Sequence, residues 1–203
     1  MTILRDPNSG QGAGIDGNNR LHVRSTSETA VLAAAQDGTA YNINTGLITG
    51  LTGTGDHSIL YFKNDESPSN GESSIIIDAI ALWVGTRGAT VTDDPIWTIL
   101  KNPDGGDIIS DATAASIVSN SNFGVNTSLS TTTLAYKGKN GGTITSTDGE
   151  HALIAGTGRI YAPLSIVLSR GGSVGIKVDI NTSGSASAYA ALVLRRLDGK
   201  SQL

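Results

Sequence analysis

With 203 residues and 26 glycines, but only 4% aromatic and 16% charged residues, the chain suits one core of short strands joined by many turns and disfavours a helical bundle. A formal net charge of −4, from 14 Lys+Arg against 18 Asp+Glu and with no basic cluster beyond Arg195-Arg196, lacks the electrostatic footprint of a protein that grips phosphate backbones, so nucleic acid is not an expected partner. Cysteine is absent, which removes disulfides, thiolate catalysis and Cys-based metal sites and leaves stability to packing or oligomerisation.

Residues 1 to 36 differ from the rest. The stretch DPNSGQGAGIDGNN gains little by ordering alone, so this segment is expected to be an extended N-terminal arm lying on a partner. Its apolar Ile3, Leu4, Leu21 and Val23 and its cations Arg5, Arg20 and Arg24 are the candidate partner-binding residues. The start lacks the apolar segment of a signal peptide, and no later stretch approaches the ~20 apolar residues of a membrane span. A cytosolic product without a membrane partner is expected. Arg20 to Arg24 alternates basic and apolar residues like an edge strand. Ser25-x-x-Glu28 before Ala30 to Ala35 then fits a short capped helix closed by Asp37-Gly38, with a strand as the competing reading.

From residue 37 onward the pattern is β. Tyr41 to Thr49 and Ser58 to Lys63 read as neighbouring strands, followed by a polar loop through Pro68. Ser73 to Val84, SSIIIDAIALWV, is the longest apolar run and reads as the central strand. Strict alternation puts Ile75, Ile77, Ala79, Ala81 and Trp83 on one face and Ile76, Ile80, Leu82 and Val84 on the other, around Asp78. That carboxylate is solvated, bonded into a bulge, or set at a subunit seam, and is given no catalytic role. Pro95 to Lys101 makes the next strand. Residues 102 to 126 form a long polar excursion with room for one helical turn near 111 to 116. Three short strands follow, at Thr131 to Tyr136, Thr143 to Thr147 and His151 to Ala155, divided by Asn140-Gly141-Gly142 and Asp148-Gly149. Leu164 to Leu168 and Val174 to Ile180 flank Gly171-Gly172 as a hairpin, and Ala186 to Leu194 is a last, Ala-rich strand. The whole predicts an all-β, two-sheet antiparallel β-sandwich over residues 37–203, with the jelly roll as its favoured version.

The chemical motifs fail on context. Gly12-Ala13-Gly14-Ile15-Asp16-Gly17 matches a dinucleotide fingerprint in letters, but Asp6-Pro7-Asn8 precedes it where a buried strand is needed. Gly199-Lys200-Ser201 resembles the end of a phosphate-binding loop, yet Leu194 stands where its first glycine should be. His22, His57 and His151 have no ligand-pair spacing, and Asp93, Asp94, Asp104, Asp107 and Asp111 lack the register of a calcium loop. No Gly-x-Ser-x-Gly elbow occurs. No catalytic, cofactor or metal residue is assigned, and no enzyme activity is expected.

Tyr41-Asn42-Ile43-Asn44-Thr45-Gly46, Ile59 to Asn64, Asn102-Pro103-x-x-Gly106, Ser121-Asn122-Phe123-Gly124, Tyr136-Lys137-Gly138 and Gly141-Gly142-Thr143 together carry a resemblance over most of residues 40 to 195. The chain resembles virion structural proteins of tailed bacteriophages. The shared motifs are turns and strands. The resemblance implies a jelly-roll or sandwich module in the virion, assembled in the host cytoplasm. It would be a capsid decoration or cement protein, often trimeric, bound to the major capsid protein or another virion protein. A tail-fibre or receptor-binding module is the alternative, for which exposed aromatics would be expected, and a carbohydrate-active enzyme comes third.

Overall fold

The computed structural model describes residues 4–5, 12–15, 21–22, 29–53, 55–65, 74–85, 87–88, 91, 93–105, 117–124, 129, 134–138, 141–144, 148–182 and 184–197. The chain divides into two compact units, Met1–Ala30 and Val31–Leu203.

In the first unit β1 (Leu4–Arg5), β2 (Gly12–Ile15) and β3 (Leu21–His22) form a three-stranded antiparallel sheet in that order. Leu4 is registered with Ala13 and Gly14 with His22. The described residues of the expected arm thus bond to one another, which satisfies backbone groups that an isolated extended chain leaves to water. The boundary falls six residues before the expected one at 36, within α1 (Ala30–Gln36), the helical alternative of the sequence reading. Gly38, at φ 69°, closes that helix. Thr39 N–H donates to the Ala34 carbonyl at 2.8 Å and Gly38 N–H to the Ala35 carbonyl at 3.2 Å, the paired bonds of a left-handed glycine cap.

The second unit continues with β4 (Ala40–Asn44), β5 (Ile48–Thr52), β6 (Asp56–Lys63), β7 (Ser74–Val84), β8 (Ile96–Lys101), β9 (Ile117–Asn120), β10 (Leu134–Lys137), β11 (Glu150–Ala155), β12 (Gly158–Leu168), β13 (Ser173–Asp179) and β14 (Ser185–Leu197). One sheet has the order β12-β7-β14-β4-β9, with β5 also on β14; the other has the order β10-β6-β13-β8-β11. Every pairing is antiparallel. One apolar cluster joins the two sheets, drawing Ile43, Ile77, Leu82 and Leu192 from the first and Phe62, Trp97 and Ile176 from the second. The chain is therefore mostly β, and its second unit is a two-sheet antiparallel sandwich, as the strand spacing predicts.

The central strand departs from strict alternation at one place. Val193 pairs with Ala79 and Leu194 with Ile77, so Asp78 is an extra residue on β7. This bulge reverses the parity of everything after it: Ile75 and Ile77 share the core with Ile80, Leu82 and Val84, while Ile76, Ala81 and Trp83 are half-buried. Asp78 accepts from Arg195 Nε through both carboxylate oxygens at 3.1 Å, which anchors the bulge to β14.

Four further differences have local causes. Gly46, at φ 62°, interrupts the expected Tyr41 to Thr49 strand and leaves β4 and β5 as separate pieces. The described part of the expected Thr143 to Thr147 strand is irregular, and Ile144 serves as a plug against Tyr61, Leu100 and Tyr136. β12 begins six residues before the expected Leu164, because it is the last strand of its sheet and tolerates Pro163. β9 crosses the excursion, while the expected turn of helix at 111–116 lies outside the described residues. Among the described residues, no helix is long and apolar enough to cross a membrane.

Candidate functional site

The outer face of the first sheet carries the most distinctive surface of the second unit. Trp83 on β7 is registered with Arg159 on β12 and with Tyr189 on β14, so the three side chains form one row across adjacent strands. The next row on the same face places Tyr161 opposite Ala81, and Ala81 opposite Ala191. The small Ala81 between the rings leaves a groove of ≈ 560 Å³, lined also by Leu47 from the β4–β5 connection. Tyr161 is 67% exposed and Leu47 55%, while Trp83 and Tyr189 are half-buried. A Cβ on Gly85 would overlap the six-membered ring of Trp83, so the indole lies across that glycine. The absence of a side chain at Gly85 thus makes room for the ring.

The charge of this groove is simple. Arg159 is exposed, and no carboxylate is among the described residues lining the space. On the second sheet one cation is held by two carboxylates. Lys177 donates to Asp56 at 2.7 Å and lies 3.7 Å from Glu150. Burial alone would lower the Lys177 pKa, but the hydrogen bond and charge of Asp56, with help from Glu150, outweigh it and hold the ammonium above its ordinary value. Tyr61 is raised chiefly by burial, opposed by its hydrogen bond with Ser173 and assisted by Asp104.

Of the candidate partner-binding residues, Leu4 and Arg5 lie in β1 and Leu21 in β3, while Ile3, Arg20, Val23 and Arg24 lie outside the described residues. The three histidines fall in β3, β6 and β11. His57 is buried on β6 with neither ring nitrogen partnered among the described residues, and the Trp97 indole N–H shares that condition. The two side chains lie on one face of the second sheet, each registered with Val178 between them. Asp93 and Asp94 are bound into loops through their carbonyls, which accept from Arg87 Nη1 at 2.6 Å and Asn181 Nδ2 at 2.7 Å. Asp107 and Asp111 lie outside the described residues. No group of three His, Asp or Glu side chains suited to a metal occurs among the described residues. Gly12–Ile15 is the middle strand of its small sheet, not a turn leading into a helix.

Sequence reasoning missed the aromatic rows. Its only signal was the even spacing that sets Tyr161 and Tyr189 on the phase opposite to their strands' core residues; counting aromatics over the whole chain hid their convergence. Set against known proteins, the chain matches no family model and no curated protein.

Proposed function

We propose that this chain is a structural protein of a tailed-bacteriophage virion, a decoration or cement module that binds the head shell as a homo-oligomer, most simply a trimer. The observation that carries the reading is the flank where β11 and β12 end their respective sheets. Leu153 is 63% exposed and Val167 58%, while core-facing Ile154, Ala162, Leu164 and Ile166 on the same two strands are only partly covered. An apolar edge of this kind is completed by packing against a second surface. Pro163 withholds a backbone donor from β12, so side-chain packing is favoured there over strand addition.

The jelly-roll expectation has support from strand order. Taken along the chain, β4, β6, β7, β8, β11, β12, β13 and β14 sort into β12-β7-β14-β4 and β6-β13-β8-β11, the interleaving of a double Greek key. In this reading β9, from within the long excursion, and β10, which follows it, lengthen the two sheets. Shell attachment is assigned to Ile3, Leu4, Arg5, Arg20, Leu21, Val23 and Arg24, with the major capsid protein or another virion protein as partner.

Sedimentation of the full chain at micromolar concentration tests the assembly step: a stable oligomer that dissociates in Leu153→Lys/Val167→Lys is expected. A monomer, or an oligomer indifferent to both substitutions, contradicts it. Arg5→Glu/Arg20→Glu/Arg24→Glu should keep the oligomer and lose binding to shells stripped of this chain; full occupancy by that variant moves attachment to the sandwich. The groove on the first sheet favours a second reading, a receptor-binding module, in which recognition rather than reinforcement is the task.

A further inference from the structure

We infer that the groove on the outer face of the first sheet is a binding site for an acidic saccharide, with Trp83, Tyr161 and Tyr189 as stacking surfaces and Arg159 as the carboxylate partner. This inference stands independently of the shell-binding proposal, since the face that carries it is defined by β7, β12 and β14 alone.

The geometry selects the ligand class in three steps. First, β7 and β14 are hydrogen-bonded on both sides, so the floor of the groove offers no free main chain to a peptide strand, and recognition must come from side-chain faces. Second, those faces are aromatic and come from three adjacent strands. Two strand spacings, about 10 Å in total, separate β12 from β14. Rings at that interval beside the small Ala81 suit a short oligosaccharide, whose sugar rings present flat C–H faces to the π systems while their hydroxyls remain in water. Gly85 leaves the space that the indole occupies, because any side chain there would displace it.

Third, the charge is complementary to an anion. Arg159 stands directly across from Trp83, with no carboxylate among the described lining residues, in a chain of net charge −4. Its guanidinium can take a carboxylate through two parallel hydrogen bonds, a geometry a hydroxyl cannot match. A uronic or sialic acid unit joins both features in one ligand: an apolar ring face for Trp83 and a carboxylate for Arg159.

The chain contains two tryptophans, and Trp97 is fully buried, so acrylamide quenching of tryptophan fluorescence reads Trp83. Full-length protein would be titrated with trigalacturonate and 3′-sialyllactose, and with neutral maltotriose and lactose as their counterparts. Saturable protection from quenching by at least one acidic probe is expected, with affinity about tenfold or more above its neutral counterpart, as a charge-assisted pair requires. Arg159→Gln should remove that preference and leave weak binding of both, Arg159→Lys should restore part of it, and Tyr161→Ala should abolish protection. Tyr161 is exposed enough that its truncation leaves thermal unfolding unchanged. The inference is overturned by no saturable protection at about 10 mM of any probe. Equal affinity for acidic and neutral probes overturns it too, as does protection that depends on protein concentration and not on sugar, which would make this face a contact between copies of the chain.

Discussion

Asn64 holds the two sheets together through polar contacts rather than apolar ones, and its replacement provides a sharp test of the fold. The residue follows β6 in the second sheet and is fully buried. Its side-chain amide donates to the carbonyl of Leu168, the last residue of β12 in the first sheet, at 2.8 Å. Its backbone N–H donates to the Gly172 carbonyl at 2.9 Å, and its own carbonyl accepts from Gly171 N–H at 2.7 Å, so the β12–β13 turn is clamped as well. Asn64→Leu keeps roughly the same volume and both backbone bonds but deprives a buried carbonyl of its donor, which costs about 1–3 kcal/mol. Asn64→Ala adds a small void and should cost about 2–4 kcal/mol. Asn64→Asp sets a carboxylate oxygen against the Leu168 carbonyl and should be the worst of the three. Urea unfolding, followed in parallel by circular dichroism and tryptophan fluorescence, measures each difference and checks that the transition stays two-state. An Asn64→Leu variant within about 0.5 kcal/mol of the natural protein would refute the view that this amide ties the sheets.

The partly buried Asp78–Arg195 pair lies between the surface and interior cases, so Arg195→Met should cost about 1–2 kcal/mol, and the double variant with Asp78→Asn less than the sum of the singles, in a double-mutant cycle by urea unfolding. A Cβ on Gly138 would overlap the Ser58 carbonyl, so Gly138→Ala should cost about 1–3 kcal/mol by forced displacement of β6; that contact is backbone, so no side chain can yield. Gly141→Ala meets open space at φ 70° and should cost only the ~1 kcal/mol of its left-handed backbone; equal melting shifts for the two would count against the close approach at Gly138. Alkali should destabilise the sandwich. The folded-state pKa values of Lys177 and Tyr61 are both raised above 10.5 and 10.0, so their stabilisation is complete below those values and is lost as pH rises through the folded ones. Melting temperature should therefore fall from about pH 10 upward, less steeply in Lys177→Met and Tyr61→Phe, and a flat profile to pH 11 would contradict it.

The elements legible in the sequence are those whose burial is written in local periodicity. β7 matches its apolar run to within one residue, and β13 and β14 follow their alternation. What escaped has a common cause in register. The bulge was one of three readings open at Asp78, but nothing in IIIDAIA decides among them, and an inserted residue exchanges the faces of all that follows. The groove was illegible for the same reason: Trp83, Tyr161 and Tyr189 are far apart along the chain, and only the pairing of β7 with β12 and β14 brings them into rows. Ile144 was read as part of a strand because its neighbours are threonines, though its side chain serves a loop plugged into the second sheet.

Labelling purified parent particles with an antibody against this chain, imaged by negative stain, tests the virion assignment most directly. The account predicts regular labelling over the head surface, lost from particles assembled without the chain. Labelling confined to the tail, or particles from which the chain is missing altogether, would contradict a head-decorating role.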